Sequence, residues 1–282
     1  MMKLIMANPK ENSMILTYEF FVEKLNEKIK SDADFCYELL KNVIDNPHRY
    51  TGIFRLSNAK TKLIQNVTQS REIKFGDFME DIVTIYIEKM GYNNLNKRIG
   101  TDENGDSLNA DQVFLGGDTV YLIEQKIRDD HDSTKKRGQY ANFKKKFSLL
   151  ERLYPGNKIN ATMWFIDGSL VKNKNYYIAE SNKDTTIDRK LNILYGEALF
   201  STLFNRMDIW EELTSYLQRN KMERSDEILS IPDFDTSDEM LVALRRLKTE
   251  EPGKYIKLIS NKPAYVQLRA ELFTNNFNLS RI

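Results

Sequence analysis

The chain is poor in the residues that staple a fold covalently or around zinc. Of its 282 residues one is cysteine, Cys36, and two are histidine, His48 and His131. A single thiol excludes an intrachain disulfide and suits a reducing compartment, so a cytoplasmic protein is expected. The same scarcity removes zinc sites built on cysteine pairs, and no His-Glu-x-x-His occurs. A Gly-rich loop closing on Lys-Ser/Thr is missing too, and with it the usual phosphate cradle of nucleotide hydrolases. Met1 to Met6 is too short for the apolar part of a secretory signal, and no apolar run approaches the ~20 residues that span a bilayer. There is no internal repeat and no low-complexity tract. An excess of one charge is also lacking: 42 basic residues meet 41 acidic ones, for a net charge of +1.

What is present is an ordinary globular composition, 41% hydrophobic and 29% charged, with 14 Tyr and 15 Phe to build a core. The charges are unevenly placed. Between Ser133 and Lys158 stand Lys135, Lys136, Arg137, Lys144, Lys145, Lys146, Arg152 and Lys158 against Glu151 alone, a local balance of +7. Between Met222 and Glu251 four basic residues face nine acidic ones. A neutral chain with one concentrated basic segment can bind a polyanion there, although most charge runs are simply solvated helix faces.

Hydrophobic spacing predicts helices over Met14 to Lys30 and Asp32 to Ile44, ending at Asn46-Pro47. Thr51 to Lys74 is polar and mixed. Asp77 to Met90 is a clear helix with Met79, Ile82, Val83, Tyr86 and Met90 on one face and Gly91 as its stop. Two strands follow, Asp111 to Leu115 and Thr119 to Arg128, around Gly116-Gly117-Asp118. After the polar turn Asp129 to Ser133 comes a long helix with Tyr140, Phe143, Phe147 and Leu150 as its stripe. Strands are expected over Asn160 to Asp167 and Tyr176 to Ala179, and helices over Ile187 to Phe204 and Asp208 to Asn220. Ser230 to Asp235 reads as a linker. Thr236-x-x-Glu239 reads as the capping box of a helix to Lys248, and short helices around Tyr255 and from Pro263 to Phe273 complete the chain. These elements suggest a helical region over 1–72, a core over 73–220 and a helical region over 221–282.

The chemistry gathers on the second strand. Side chains alternate there, so Val120, Leu122, Glu124, Lys126 and Arg128 share a face. An apolar interior strand that ends in a carboxylate and a lysine on one face must reward their burial. With Gly117-Asp118 as a two-residue turn, paired positions sum to 235. Val113 then faces Leu122 and Asp111 faces Glu124; a Gly116-Gly117 loop would slip the register but keep the faces, and either turn places two carboxylates and a lysine at one sheet end. Two carboxylates so close repel unless a cation lies between them, and a hard divalent ion, Mg²⁺, answers that need. It would bridge Asp111, Glu124 and a phosphate oxygen, with the Gln125 carbonyl as a further ligand and Lys126 orienting the attacking water. Glu80 shares a helix row with Val83 and Ile87 and points inward as a supporting acid. The plain alternatives are a surface Glu–Lys pair with a turn-capping Asp, and an ordinary surface position for Glu80. Asp129-Asp130-His131-Asp132 reads as a polar turn.

Asp111, twelve intervening residues and then Glu124-Gln125-Lys126 resembles the PD-(D/E)xK nuclease superfamily, with Ala110 in place of the proline. The helix from Gly76 to Gly91 and the helix carrying Gln139 resemble its two core helices. Within the superfamily the chain is similar to type II restriction endonucleases in size, in the Leu194 to Phe200 segment and in the Leu268 to Phe273 ending. The resemblance implies an α/β fold with a mixed sheet sandwiched by helices. It implies Mg²⁺-dependent hydrolysis of double-stranded DNA, a homodimer reading a palindromic site, and a companion DNA methyltransferase. Asp111, Glu124, Lys126 and Glu80 would be catalytic. Arg128, Lys135, Lys136, Arg137, Gln139 and Lys144 are candidates for the DNA backbone. A repair, recombination or RNA-directed nuclease and a non-catalytic DNA-binding module are the alternatives.

Overall fold

Residues 14–29, 33–101, 105–185, 189–229 and 231–282 are described in the computed structural model of this chain. In chain order the elements are α1 (Tyr18–Lys28), α2 (Ala33–Asp45), α3 (Pro47–Tyr50), α4 (Ala59–Lys89), β1 (Asn93–Asn94), β2 (Arg98–Thr101), β3 (Ser107–Asn109), β4 (Gln112–Gly116) and β5 (Thr119–Lys126). There follow α5 (Ser133–Leu153), β6 (Lys158–Phe165), α6 (Lys174–Asp184), β7 (Arg189–Tyr195), a π-helical turn (Leu199–Phe204), α7 (Met207–Leu229), α8 (Asp238–Glu250), α9 (Pro252–Ile259), α10 (Pro263–Leu272) and α11 (Phe277–Ser280). They form two units, Met1–Lys24 with Gly76–Gln218 and Leu25–Phe75 with Arg219–Ile282.

The first unit is built on a five-stranded mixed sheet in the order β1-β4-β5-β6-β7. β1, β4 and β5 are antiparallel neighbours, whereas β5, β6 and β7 run parallel. The hairpin register is that of the Gly117-Asp118 turn, Val113 opposite Leu122 and Leu115 opposite Val120. Gly117 has φ +62° in the turn, where a side chain would be strained. Val120 and Leu122 share a core with Ala161, Met163 and Phe165, and α5 lays Tyr140, Phe143, Phe147 and Leu150 into it. The other face meets α4, where Met79, Ile82, Val83 and Tyr86 are fully buried. Gln112 Nε2 on β4 donates to the Glu80 carbonyl of α4 at 2.7 Å. The result is a mixed sheet flanked by helices, as the resemblance implied.

Several expectations are corrected. Within Thr51 to Lys74, polar and mixed in sequence, α4 starts at Ala59 and runs 31 residues. Tyr176 to Ala179 is helix, not strand: Tyr177 and Ser181, four apart, are buried on one face of α6. Parallel β6 and β7 require a crossover of that kind. The helix expected up to Phe204 is instead β7 followed by a turn at Gly196 and the π-helical turn. Leu-Asn-Ile-Leu-Tyr is a short apolar run, and such runs are ambiguous between helix and strand until a neighbouring strand claims them. The cap of α8 is Ser237, whose Oγ accepts from Met240 N–H at 3.3 Å, rather than Thr236. The expected helix limits Lys30, Asp32 and Ile187, the linker start Ser230, and Met1 to Met6 lie outside the described residues.

The second unit is helical. Leu40, Val43 and Ile44 of α2 pack with Leu244 and Leu247 of α8 and with Leu268 of α10.

Candidate active site

Asp111 directly precedes β4, and its carboxylate is pinned from the partner strand. The Gln125 N–H donates to Asp111 Oδ2 at 2.6 Å. Glu124 lies inside the sheet, with its side chain 5% exposed. Lys126 bends back over the strand end. Its Nζ donates to Glu124 Oε1 at 2.8 Å and to the Gln125 carbonyl at 2.7 Å, and lies 3.4 Å from Asp111 Oδ2. The three oxygens singled out as metal ligands thus converge on one cationic centre, here an ammonium group. Among the described residues no three His, Cys, Asp or Glu side chains form a metal-binding group. The cradle is instead two carboxylates and a main-chain carbonyl, an all-oxygen set that fits a hard divalent ion.

The electrostatics reflect the crowding. Burial pushes the Asp111 carboxyl up, and the negative charge of Glu124 adds to this. Lys126, Lys146 and the Gln125 N–H oppose the rise without cancelling it. For Lys126, burial pulls the ammonium down, but Glu124 and Asp111 outweigh it, so the group ends above its ordinary value. It remains a cation.

Sequence reasoning missed Lys146. The run Lys144 to Lys146 reads as solvated, yet Lys146 is buried and its Nζ donates to Glu124 Oε2 at 2.6 Å. The signal was available: Phe143, Lys146, Phe147 and Leu150 follow helical spacing, so Lys146 stands on the buried stripe. Lys97 was missed as well. Its Nζ donates to Glu80 Oε1 at 2.7 Å and lies 3.0 Å from Thr84 Oγ1. Glu80 is half-buried as expected, but its carboxylate is bonded to Lys97 rather than to Asp111 or Glu124. Its turn of helix is joined to the strand through Gln112, whose Nε2 donates to the Glu80 carbonyl and to Gln125 Oε1 at 3.1 Å.

The DNA-contact candidates divide. Arg128, Lys135 and Arg137 are exposed. Lys136 lies 4.7 Å from the centre of the Tyr176 ring, and Lys144 pairs with Asp184 at 3.3 Å. Gln139 Oε1 accepts from the Tyr177 hydroxyl at 3.0 Å, and that hydroxyl lies 2.7 Å from His131 Nε2. The Asp129 to Ser133 segment is structural: Asp132 caps α5, and buried Asp129 accepts from the Asn173 side chain and N–H and from the Tyr195 hydroxyl, each at 2.8 Å.

Two carboxylates and a lysine thus stand together at the end of a mixed sheet, beside α4 and α5. The family model described as type II restriction endonuclease, HinfI, matches residues 18–112 and 93–221, and the chain belongs to that family. It is similar to the type II restriction enzyme HinfI of Haemophilus influenzae, with 23% identity over 223 residues that cover 61% of this chain and 80% of the relative.

Proposed function

We propose that the chain is a Mg²⁺-dependent, site-specific deoxyribonuclease of the PD-(D/E)xK superfamily that hydrolyses both strands of double-stranded DNA. The observation that carries this reading is the convergence of Asp111, Glu124 and the Gln125 carbonyl on one cationic position at Lys126. Mg²⁺ held by those three groups would polarise the scissile phosphate and stabilise the charge that builds on phosphorus. The residues do the rest. The Gln125 N–H fixes the Asp111 carboxylate, so this ligand does not need ordering during the reaction. Lys126 would donate a hydrogen bond to the attacking water and, as a cation, balance the growing charge of the phosphate. The water oxygen forms a bond to phosphorus in line with the departing sugar oxygen. The P–O bond to that sugar oxygen breaks with its electron pair, the sugar oxygen takes up a proton from solvent, and the attacking water's proton leaves to solvent. Glu80, whose carboxylate accepts from Lys97, would be a supporting residue from α4.

Exposed Arg128, Lys135 and Arg137, with Lys136, Gln139 and Lys144, would follow the DNA backbone and set the register without reading sequence. Loops or the C-terminal helices would supply base contacts. A homodimer suits a palindromic site, each subunit cutting one strand. A methyltransferase that protects host DNA would accompany such an enzyme in the cytoplasm.

Incubation of unmethylated phage DNA with purified protein, with Mg²⁺ on the order of 10 mM and separately with chelator, tests the proposal. Discrete bands that vanish with chelator are expected. A metal-dependent smear would move the reading to a non-specific or repair nuclease, and intact DNA would overturn it.

A further inference from the structure

One buried cation takes no part in the hydrolysis just outlined. Lys146 stands on the apolar stripe of α5 between Phe143 and Leu150 and is 5% exposed. Its Nζ donates to Glu124 Oε2 at 2.6 Å. Lys126 holds the other oxygen of the same carboxylate, at 2.8 Å. A lysine is an expensive choice for a stripe position that leucine or methionine would fill, so its place there is explained by what it does to Glu124.

We propose that Lys146 is a positioning residue for the metal site: it clamps Glu124 through Oε2, leaves Oε1 for the ion, and opposes entry of the ion until a DNA phosphate arrives. This rests on reading Asp111 and Glu124 as metal ligands. The formal charges carry the second half of the inference. Asp111, Glu124, Lys126 and Lys146 sum to zero. A divalent ion alone would leave this largely buried site at +2, and the poor dielectric around it magnifies that excess. A phosphodiester returns one negative charge, and the developing nucleophile offsets more. The resting site therefore accepts ion and phosphate together more readily than the ion alone. Without the Lys146 charge the DNA-free site stands at −1 and attracts the ion. Loss of the clamp frees one glutamate side chain, a smaller effect than removing a cation next to a ligand of a divalent ion.

The test measures Mg²⁺ binding to the full chain without DNA by calorimetry, beside the rate of phage-DNA cleavage at saturating Mg²⁺. Lys146→Met is expected to bind Mg²⁺ about tenfold more tightly than the unmodified chain yet cut about tenfold more slowly, because Glu124 is less well placed. Lys146→Gln keeps a donor for Oε2. It should tighten Mg²⁺ binding in the same way and lose less rate, and it serves if the methionine variant does not fold. Folded variants whose DNA-free Mg²⁺ affinity equals or falls below that of the unmodified chain overturn the proposal, because a lysine that only supports the helix gives that result. An Asp111→Ala control separates the layers: unchanged Mg²⁺ affinity there means that the ion binds elsewhere, and the underlying reading fails along with this one.

Discussion

Glu212 and Glu124 are buried glutamates of the same unit, held in opposite ways. Glu212 accepts from the N–H groups of Ile15 and Leu16 at 2.7 and 2.9 Å and from the Tyr86 hydroxyl at 2.9 Å. Asp129 is held likewise by N–H and O–H donors, and in the helical unit Asp235 accepts from the N–H groups of Asn275 and Phe277 at 2.6 and 2.7 Å. These carboxylates fasten chain segments with fixed neutral donors. Glu124 is instead held by two lysine ammonium groups at the end of long, movable side chains. Neutral donors on the backbone cannot leave. An ammonium can swing away and give its place to a metal ion or a phosphate. The kind of donor therefore separates Glu212, held for architecture, from Glu124, proposed for chemistry; Asp111 combines the two, its Oδ2 taking the Gln125 N–H and lying 3.4 Å from Lys126 Nζ.

Substitutions break this comparison in order of expected size. Asp111→Ala or Lys126→Ala should lower cleavage about a thousandfold or more, with circular dichroism and DNA binding largely retained. Full activity in either purified variant would remove these residues from the site. Glu212→Ala leaves two buried N–H groups and the Tyr86 hydroxyl without their acceptor and should cost about 3 kcal/mol in urea unfolding. Asp235→Ala should cost about 2 kcal/mol by the same logic. Cleavage per folded molecule should survive both changes, and its loss in a folded Glu212→Ala protein would erase the distinction.

A smaller effect follows pH. Burial, aided by the charge of Lys135, holds His131 below its ordinary value despite the nearby Asp129. The unfolded chain then binds the proton more readily than the folded one. The stability that His131 contributes is complete above about pH 6.5 and declines as the pH falls through that value. Thermal melts of His131→Gln between about pH 7.5 and 5.5 should show a shallower decline than the unmodified chain. An equal slope would mean that His131 is not the sensor.

The sequence made the hairpin end of this molecule legible because alternation and turn length constrain each other. A Gly117-Asp118 and a Gly116-Gly117 turn differ in register but keep the same faces, and both bring Asp111 to the sheet end that carries Glu124. The stripe of α5 was equally legible from Tyr140, Phe143, Phe147 and Leu150. Elements decided by neighbours were not. Leu191 to Tyr195 becomes a strand because β6 pairs with it, and Tyr176-Tyr177-Ile178 becomes helix because parallel strands need a crossover. Lys146 was hidden among its charged neighbours, since a run of three lysines reads as solvent-facing until helical phase is assigned to each. Lys97 gave no signal, as its partner Glu80 lies 17 residues away on another element.

The most direct test is Asp111→Asn, followed by cleavage and melting in the same preparation. The amide keeps an oxygen for the Gln125 N–H and removes a charge that burial and Glu124 already disfavour. A site assembled for a metal rather than for stability predicts that cleavage is lost while the melting temperature holds or rises. A variant that cuts like the unmodified chain, or that melts well below it, contradicts the account.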